Sequence, residues 1–374
     1  MSSAPDSEQD LNLKLRTMRY LWSLGYFVRR NVLLVDKEGS GKQYTDIDVM
    51  AVKVDDGLGA EFVVCDCKSG AQARTRERLF WLKGVMDYFG AASGMFIRTR
   101  LTESKYVDLG KRLGITSLSE GQLIQLEKAY EIDTSFFGPF SKEGVKNDQL
   151  FPLLRKFSPE TADYLRIRYW EDEPPQQITN LVACCKRING LGELEIKAKD
   201  FLIAYALSLL SLSVVRFAKE VLVISDPEKA EFIRLELLGG KIEHDARREL
   251  LGGFYDFMAK EIEARYKSKY PIARAQFLDS LTPDYTKYLV DMLARVSQKP
   301  RWYSLLPRYM DLVAFESILA NRSLKISDLV ASAIYLDSGS VTKPMIDLIT
   351  FADRSGLLTR EQFKRFSDLI QATT

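Results

Sequence analysis

The stretch that decides the fold of the N-terminal part of the chain is EFVVCDCKSG, residues 61–70. It starts with aromatic and β-branched residues, as a buried β-strand does, and then places Asp66 and Lys68 two residues apart. Because side chains alternate across a strand, Val64, Asp66 and Lys68 share one face. The opposite face carries Val63, Cys65 and Cys67. The pattern predicts a strand whose small cysteines pack beneath a helix while its other face presents an acid beside a base.

The sequence on either side predicts the order helix, three strands, helix, strand, helix, followed by a short strand and a final helix. The predicted ranges are helices at 11–24, 75–89 and 103–115, strands at 26–35, 46–54, 61–68 and 94–99, and the closing segment at 116–130. Tight turns between the first three strands indicate antiparallel pairing, and the helical connection to the fourth indicates a parallel crossover. We therefore expect an α/β unit over residues 11–135 with a mixed sheet flanked by helices.

Two further segments complete the predicted organisation. Residues 1–10, MSSAPDSEQD, are polar and acidic, and we expect them to be disordered. Residues 141–374 show apolar periodicity of helical type and predict a mostly α-helical region of one or two subdomains. This region could recognise DNA, form a homo-oligomer or bind a partner protein, and its sequence does not choose among these roles. Its apolar run at 201–215 falls short of the roughly 20 residues of a membrane-spanning helix, so we interpret it as a buried core helix and expect no membrane partner.

The composition excludes several kinds of chemistry. The chain has four cysteines and a single histidine, His244, so a histidine-rich zinc site or a Ser-His-Asp triad is disfavoured. Four cysteines in 374 residues do not make a disulfide framework, which favours a reduced, cytoplasmic protein. The formal net charge of +2 alone does not indicate a nucleic-acid partner. Carboxylates and lysine remain as the groups that could carry a reaction.

A second acidic strand precedes the first one. In DIDVMAV, Asp46 and Asp48 are expected on one face and Ile47 and Val49 on the other. If the two strands pair through the intervening turn, Asp48 approaches Asp66, and two such carboxylates repel unless a cation lies between them.

Water-accessible oxygen ligands suit Mg²⁺ or Mn²⁺, and Lys68 beside the ion could stabilise developing negative charge. The constellation suits phosphodiester hydrolysis. The alternative is an ordinary surface ion pair, which contributes only about 0–1 kcal/mol.

The segment after the Asp–Lys strand is basic. Residues 70–115 contain nine lysines and arginines against four acids. Arginine is suited to phosphate contacts, so the candidates for nucleic-acid binding are Arg74, Arg76 and Arg78, together with Arg16 and Arg19 of the first helix. For each arginine the alternative is a solvated helix face.

In their order, these motifs resemble the PD-(D/E)xK nuclease superfamily, above all its Mrr-type restriction endonucleases and Holliday-junction resolvases. Such domains begin with a helix that ends in a glycine–aromatic pair, matched here by Gly25 and Tyr26. They continue with a strand containing IDV, matched at 47–49, and an acid-x-lysine strand, matched by VVCDCKSG at 63–70. The closing GITSLSEGQLIQL at 114–126 is similar to their last strand and helix.

The resemblance implies a restriction-endonuclease-like fold and a Mg²⁺- or Mn²⁺-dependent endonuclease acting on DNA. It implies that Asp48, Asp66 and the Cys67 backbone carbonyl bind the metal and that Lys68 assists the attacking water. One feature departs from the family pattern: many relatives carry a metal-binding glutamate on the first helix, and Lys14 stands near that position, with Asp46 as a candidate to compensate. A catalytically inactive nuclease-fold module and an RNA-directed nuclease therefore remain alternatives.

Overall fold

The N-terminal unit of the computed structural model is a five-stranded mixed sheet with helices on both faces. The structure describes residues 7–35, 43–70, 74–100, 102–132, 140–279, 282–319 and 338–371. The strands lie in the order of the chain: β1 (Phe27–Val35), β2 (Gln43–Val54), β3 (Ala60–Lys68), β4 (Ser93–Arg98) and β5 (Ile115–Ser119). Strands β1 to β3 pair antiparallel, whereas β4 pairs parallel with β3 and with β5. The α/β class and the mixed sheet predicted from the sequence are confirmed.

Four helices flank this sheet: α1 (Glu8–Ser23), α2 (Thr75–Phe89), α3 (Ser104–Arg112) and α4 (Glu120–Ala129). Helix α1 begins three residues earlier than predicted, so the expectation of disorder is wrong for residues 8–10. The helix extends because the Ser7 hydroxyl caps it and accepts the N–H of Asp10 at 3.2 Å. The other residues expected to be disordered, 1–6, lie outside the described part of the chain.

The two faces of β3 are covered as the alternation predicts. Cys65 and Cys67 are buried in the larger hydrophobic core, and the Thr17 hydroxyl of α1 lies 3.6 Å from the Cys67 sulfur. Val64 packs on the opposite face in a smaller core that includes Leu79 and Leu82 of α2. Helices α1 and α2 therefore approach β3 from opposite sides.

On β2 the predicted alternation does not hold at Ile47. Val49 packs in the larger core, whereas Ile47, which should share its face, packs in the smaller one. Val49 pairs with Arg30 of β1, and Ile47 pairs with Val32. Asn31, which lies between these two β1 residues, has a left-handed φ of +52°. A left-handed residue distorts an extended strand locally, and the side chains beyond it take a different direction.

The rest of the described chain is helical, as predicted. Its α-helices are α5 (Lys142–Lys146), α6 (Leu150–Phe157), α7 (Pro159–Arg166), α8 (Pro174–Gly190), α9 (Ile196–Leu222), α10 (Asp226–Leu237), α11 (Gly240–Tyr266), α12 (Arg274–Asp279), α13 (Thr286–Gln298), α14 (Pro300–Tyr303), α15 (Leu306–Leu312), α16 (Ser338–Arg354) and α17 (Arg360–Gln371). Short 3₁₀ turns at Asn147–Gln149 and Arg168–Glu171 and a π-helical segment at Val313–Leu319 complete it.

Helix α9 is the centre of the helical region. It is longer than the predicted 201–215 segment and is long and apolar enough to cross a membrane by length and composition, but 94% of its most apolar window is buried inside the protein. Burial of this kind is what a core helix requires. Residues of α9 share one hydrophobic core with α1 and β3. The N-terminal sheet is thereby packed directly against the helical region.

A buried ion pair joins the same two parts. The Arg29 guanidinium of β1 donates to Asp311 of α15 at 2.7 Å and to the Ser208 hydroxyl of α9 at 2.7 Å. It also lies 4.1 Å from the ring centre of Phe27 and 4.7 Å from that of Tyr205. Since a buried charge is tolerated only when it is paired, this arginine fixes where β1 meets the helices.

Candidate functional site

The three residues singled out by the sequence, Asp48, Asp66 and Lys68, meet at one point. The Lys68 ammonium nitrogen lies 3.0 Å from Asp48 Oδ2 and 3.2 Å from Asp66 Oδ1. The predicted approach of the two acids is thus observed, with the lysine ammonium as the cation between them. Such a bridge compensates the repulsion of two neighbouring carboxylates.

The local course of the strands places Asp48 there. The regular β2–β3 ladder reaches only to the Val49–Cys65 pair and does not include Asp48, the residue that precedes Val49. Beyond that pair the Asp48 side chain itself takes over the contact with β3, because its Oδ2 accepts the Cys67 N–H at 2.8 Å. The carboxylate is therefore held by the backbone of the strand that carries Asp66 and Lys68.

Lys14 of α1 completes the surroundings of Asp48. Its ammonium nitrogen lies 2.9 Å from Asp48 Oδ1 and donates to Asn31 Oδ1, also at 2.9 Å. The left-handed conformation of Asn31 accompanies this contact. Lys14, the residue at which the sequence departs from the nuclease pattern, thus touches the predicted metal ligand Asp48 directly.

Arg78 of α2 covers Asp66 from the other side of the sheet. Its Nε donates to Asp66 Oδ2 at 2.7 Å, and a terminal nitrogen donates to Asp66 Oδ1 at 2.5 Å. The guanidinium also lies 4.0 Å from the ring centre of Trp81, one helical turn further along α2. We call the bidentate Arg78–Asp66 ion pair the latch contact.

The two acids are buried, which corrects the expectation that they are open to water. Asp66 is 0% exposed and Asp48 2%, while the side chains of Lys68 and Arg78 are 34% and 29% exposed. Burial by α1, α2 and these long basic side chains is the physical reason. The oxygens of the two acids contact Lys14, Lys68 or Arg78, so a ligand of the carboxylates competes with these cations.

Charge and burial act in opposite senses on this cluster. Burial raises the pKa of Asp66 and Asp48 adds to the rise, although Arg78 and Lys68 oppose it. For Asp48, burial is outweighed by the ammonium groups of Lys14 and Lys68, and its pKa is lowered. Burial likewise disfavours the charged Lys68, but Asp66 and Asp48 outweigh it and raise the pKa of the lysine. Lys68 is therefore an ammonium ion at neutral pH.

The other predicted site residues stand apart from the Asp48–Lys68–Asp66 contacts. Asp46 is half-buried on β2, two residues before Asp48. Burial disfavours the charged form of Arg78, but Asp66, Asp48 and Asp46 outweigh it and raise the pKa of Arg78, so Asp46 acts on the cluster by its charge. Arg16 and Arg19 of α1 both form ion pairs with Glu127 of α4, and these pairs connect the two helices. Arg74 and Arg76, which flank the start of α2, are exposed, and Arg74 pairs with Glu77 at 3.4 Å.

Sequence reasoning missed one acid near the site. Asp10, in the first turn of α1, accepts the N–H of Ser69 at 2.9 Å and so lies beside the residue that follows Lys68. Burial raises its pKa, but hydrogen bonds from Ser7 and Ser69 and the charge of Lys68 outweigh burial and lower it. Asp10 precedes Lys14 by four residues, so helical spacing places both on one side of α1. That spacing could have identified it.

The donors available to a metal are few but of suitable type. Asp48 Oδ2 and Asp66 Oδ1 are the two carboxylate oxygens that share the Lys68 ammonium, so a Mg²⁺ taking the place of that ammonium would find both within reach. Mg²⁺ commonly binds through one or two carboxylates and completes its coordination with water and phosphate. Among the described residues, no group of three or more His, Cys, Asp or Glu side chains is arranged to hold a metal. The residues fit a Mg²⁺ held by two protein carboxylates.

Comparisons of the chain with protein-family models, curated proteins and solved structures give no match.

Proposed function

We propose that this protein is a divalent-metal-dependent nuclease that hydrolyses phosphodiester bonds in DNA, acting in the cytoplasm in restriction, phage defence or repair. The observation that carries the proposal is the meeting of Asp48, Asp66 and Lys68, with one ammonium within 3.2 Å of an oxygen of each acid. Two carboxylates and an amine at one point, on adjacent strands of a mixed sheet, are the groups that the sequence resemblance calls for.

The three side chains have separate tasks in the proposed reaction. Asp48 and Asp66 would hold Mg²⁺ through the oxygens that Lys68 contacts. A bound Mg²⁺ supplies Lewis-acid polarisation of the phosphate and an activated water. With the metal between the two acids, the displaced Lys68 ammonium would lie beside the scissile phosphate and stabilise the negative charge that grows on the phosphoryl oxygens. The Cys67 N–H and Lys14 keep the Asp48 carboxylate in place.

The surface near the site supports a polyanionic substrate. Arg74 and Arg76 are exposed at the start of α2, and Arg78 of the same turn contacts Asp66. The side chain of Arg74 is 81% exposed. Positive charge of this kind attracts phosphate and makes binding depend on salt concentration.

The direct test is cleavage of nucleic acid by the purified protein. Plasmid, linear and branched DNA and a structured RNA are incubated with Mg²⁺, with Mn²⁺ or with EDTA. We expect cleavage of at least one DNA only with metal, and loss of about a hundredfold or more in Asp66→Asn. The matched control is Asp87→Asn, which removes an exposed acid of α2 that pairs only locally with Lys83. Cleavage of RNA alone would support the RNA-directed alternative.

A second candidate function, a catalytically inactive nuclease-fold module that binds nucleic acid or a partner protein, is favoured by Lys14. Its ammonium occupies Asp48 Oδ1, and Lys68 and Arg78 occupy the remaining carboxylate positions. Calorimetry separates the two functions: the nuclease takes up Mn²⁺ in a manner that depends on Asp48, whereas the inactive module takes up none.

A further inference from the structure

The latch contact and the proposed metal use the same atom. Asp66 Oδ1 lies 3.2 Å from the Lys68 nitrogen, the position a metal would take, and also accepts the Arg78 hydrogen bond at 2.5 Å. Asp66 Oδ2 is bound by the same arginine. With both oxygens engaged by one guanidinium, Asp66 cannot offer its full charge to a metal ion. Arg78 therefore competes with the metal.

Two of the three cations around the acids, Lys14 and Arg78, differ in their freedom to leave. Lys14 is 2% exposed and is held by Asp48 and Asn31, so it is a fixed counter-ion. Arg78 is 29% exposed at the side chain and lies on the first turn of α2, next to the exposed Arg74 and Arg76. An arginine that faces solvent on one side and an acid on the other can exchange the acid for an external anion.

A phosphodiester is the anion that matches this exchange. The guanidinium presents a planar fork of N–H donors that binds a carboxylate or a phosphate in the same bidentate geometry. The guanidinium carbon of Arg78 also lies 4.0 Å from the ring centre of Trp81, a cation–π contact that does not depend on Asp66. The loss of the Asp66 pair is then offset by a pair with the phosphate.

We propose that Arg78 is a latch on the acid pair: in the absence of substrate it closes over Asp66, and a phosphodiester group of the nucleic acid draws it away and opens Asp66 to the metal. The inference rests on the proposed function. It predicts that metal and nucleic acid bind with positive coupling, each raising the affinity for the other by the same factor. The protein would thus hold its metal weakly until a strand is bound.

Mn²⁺ calorimetry on the full-length protein without nucleic acid tests the latch. If the latch is closed in nine molecules of ten, opening it permanently raises the apparent affinity about tenfold. We expect Arg78→Ala to bind Mn²⁺ about tenfold more tightly than the wild type. The matched control is Arg74→Ala. The Arg74 side chain is 81% exposed and pairs with Glu77, so its removal should leave the Mn²⁺ affinity unchanged.

Arg78→Lys is the second variant, in case the alanine variant does not fold. Lysine keeps the positive charge but cannot form the bidentate fork, so we expect a smaller gain of about two- to fivefold in Mn²⁺ affinity. Thermal unfolding of each variant establishes that it is folded. Unchanged or weaker Mn²⁺ binding in the folded variants, or no Mn²⁺ binding by any of them, would overturn the latch.

Coupling to the substrate is measured by fluorescence anisotropy of a labelled DNA duplex with Mn²⁺ and with EDTA. All samples carry Lys68→Met, which slows cleavage and also removes the ammonium from the metal position in every sample, so the proteins compared differ only in Arg78. We expect Mn²⁺ to tighten DNA binding in this background and to have little effect when Arg78→Ala is added. Equal coupling in both would contradict the inference. The nuclease proposal fails separately, when the wild type cleaves no substrate, so the two failures are distinguishable.

Discussion

Replacing Lys14 by methionine tests whether this lysine is the fixed counter-ion of Asp48. The two side chains are each 3% exposed and 2.9 Å apart. Removing one partner of a buried ion pair costs about 3–5 kcal/mol. Asp48 keeps the Lys68 ammonium at 3.0 Å and the Cys67 N–H at 2.8 Å, and methionine preserves most of the apolar stem. We therefore expect the free energy of unfolding to fall by about 2–3 kcal/mol.

Urea unfolding followed by circular dichroism at pH 7 measures this change. A double-mutant cycle with Asp48→Asn isolates the pair, and we expect a coupling energy of about 1–3 kcal/mol. Lys83→Met is the matched control, since Lys83 forms an exposed pair with Asp87 one turn away and should cost only about 0.3–0.5 kcal/mol. A loss below about 0.5 kcal/mol for Lys14→Met, or strict additivity in the cycle, would refute the assignment.

Two further predictions concern the interface and the effect of pH. Arg29→Met leaves Asp311 buried without its partner, so it should lower the free energy of unfolding by about 3–5 kcal/mol in the same assay. Arg301→Met, which removes an exposed pair with Asp56, should change it by less than about 1 kcal/mol, and equal losses would contradict the role given to Arg29. The pKa of Asp48 lies below its ordinary 3.8, because Lys14 and Lys68 outweigh burial. Its ionised form therefore stabilises the fold above pH 3.8, and this contribution is lost as the pH falls through the lowered pKa. Asp48→Asn should accordingly lose less unfolding free energy than the wild type between about pH 4 and pH 2, and parallel losses would contradict this.

The elements of the N-terminal unit could be predicted from the sequence because each carries a local signal. β3 is marked by its apolar run, α1 by its helical spacing and α4 by the Ser119–Gln122 capping box that starts it. Alternation on β3 alone placed Asp66 and Lys68 on one face. These signals are local, and local structure is what a single sequence predicts best.

The partners of the acids could not be predicted in the same way. Arg74, Arg76 and Arg78 look alike in sequence, and only Arg78 turns toward β3, because α2 packs Leu79 and Leu82 against the sheet. The burial of Asp48 depends on α1 lying across the end of the β2–β3 ladder, a long-range packing that no neighbouring residue encodes. The sequence marks Lys14 as a departure from the nuclease pattern, but the contact of Lys14 with Asp48 follows from that packing.

The prediction that Ile47 and Val49 share one face of β2 was wrong, again because of a contact between distant parts of the chain. Strict alternation holds for a regular strand, and β2 faces a left-handed Asn31 on its partner strand. Asparagine adopts this conformation more readily than most residues, but it does so only where surrounding contacts stabilise it. Here the Lys14 ammonium donates a hydrogen bond to the amide oxygen of Asn31. A polar contact between helix and strand thus accompanies a change in how the strand packs.

The most direct test of the central claim is metal-dependent cleavage by the wild type and by Asp66→Asn, side by side with Asp87→Asn. If Asp48, Asp66 and Lys68 form a working centre, the wild type and Asp87→Asn cut DNA with Mg²⁺ or Mn²⁺, and Asp66→Asn is slower by about a hundredfold or more. Undiminished cutting by Asp66→Asn, or a wild type that cuts no substrate with either metal, would contradict it.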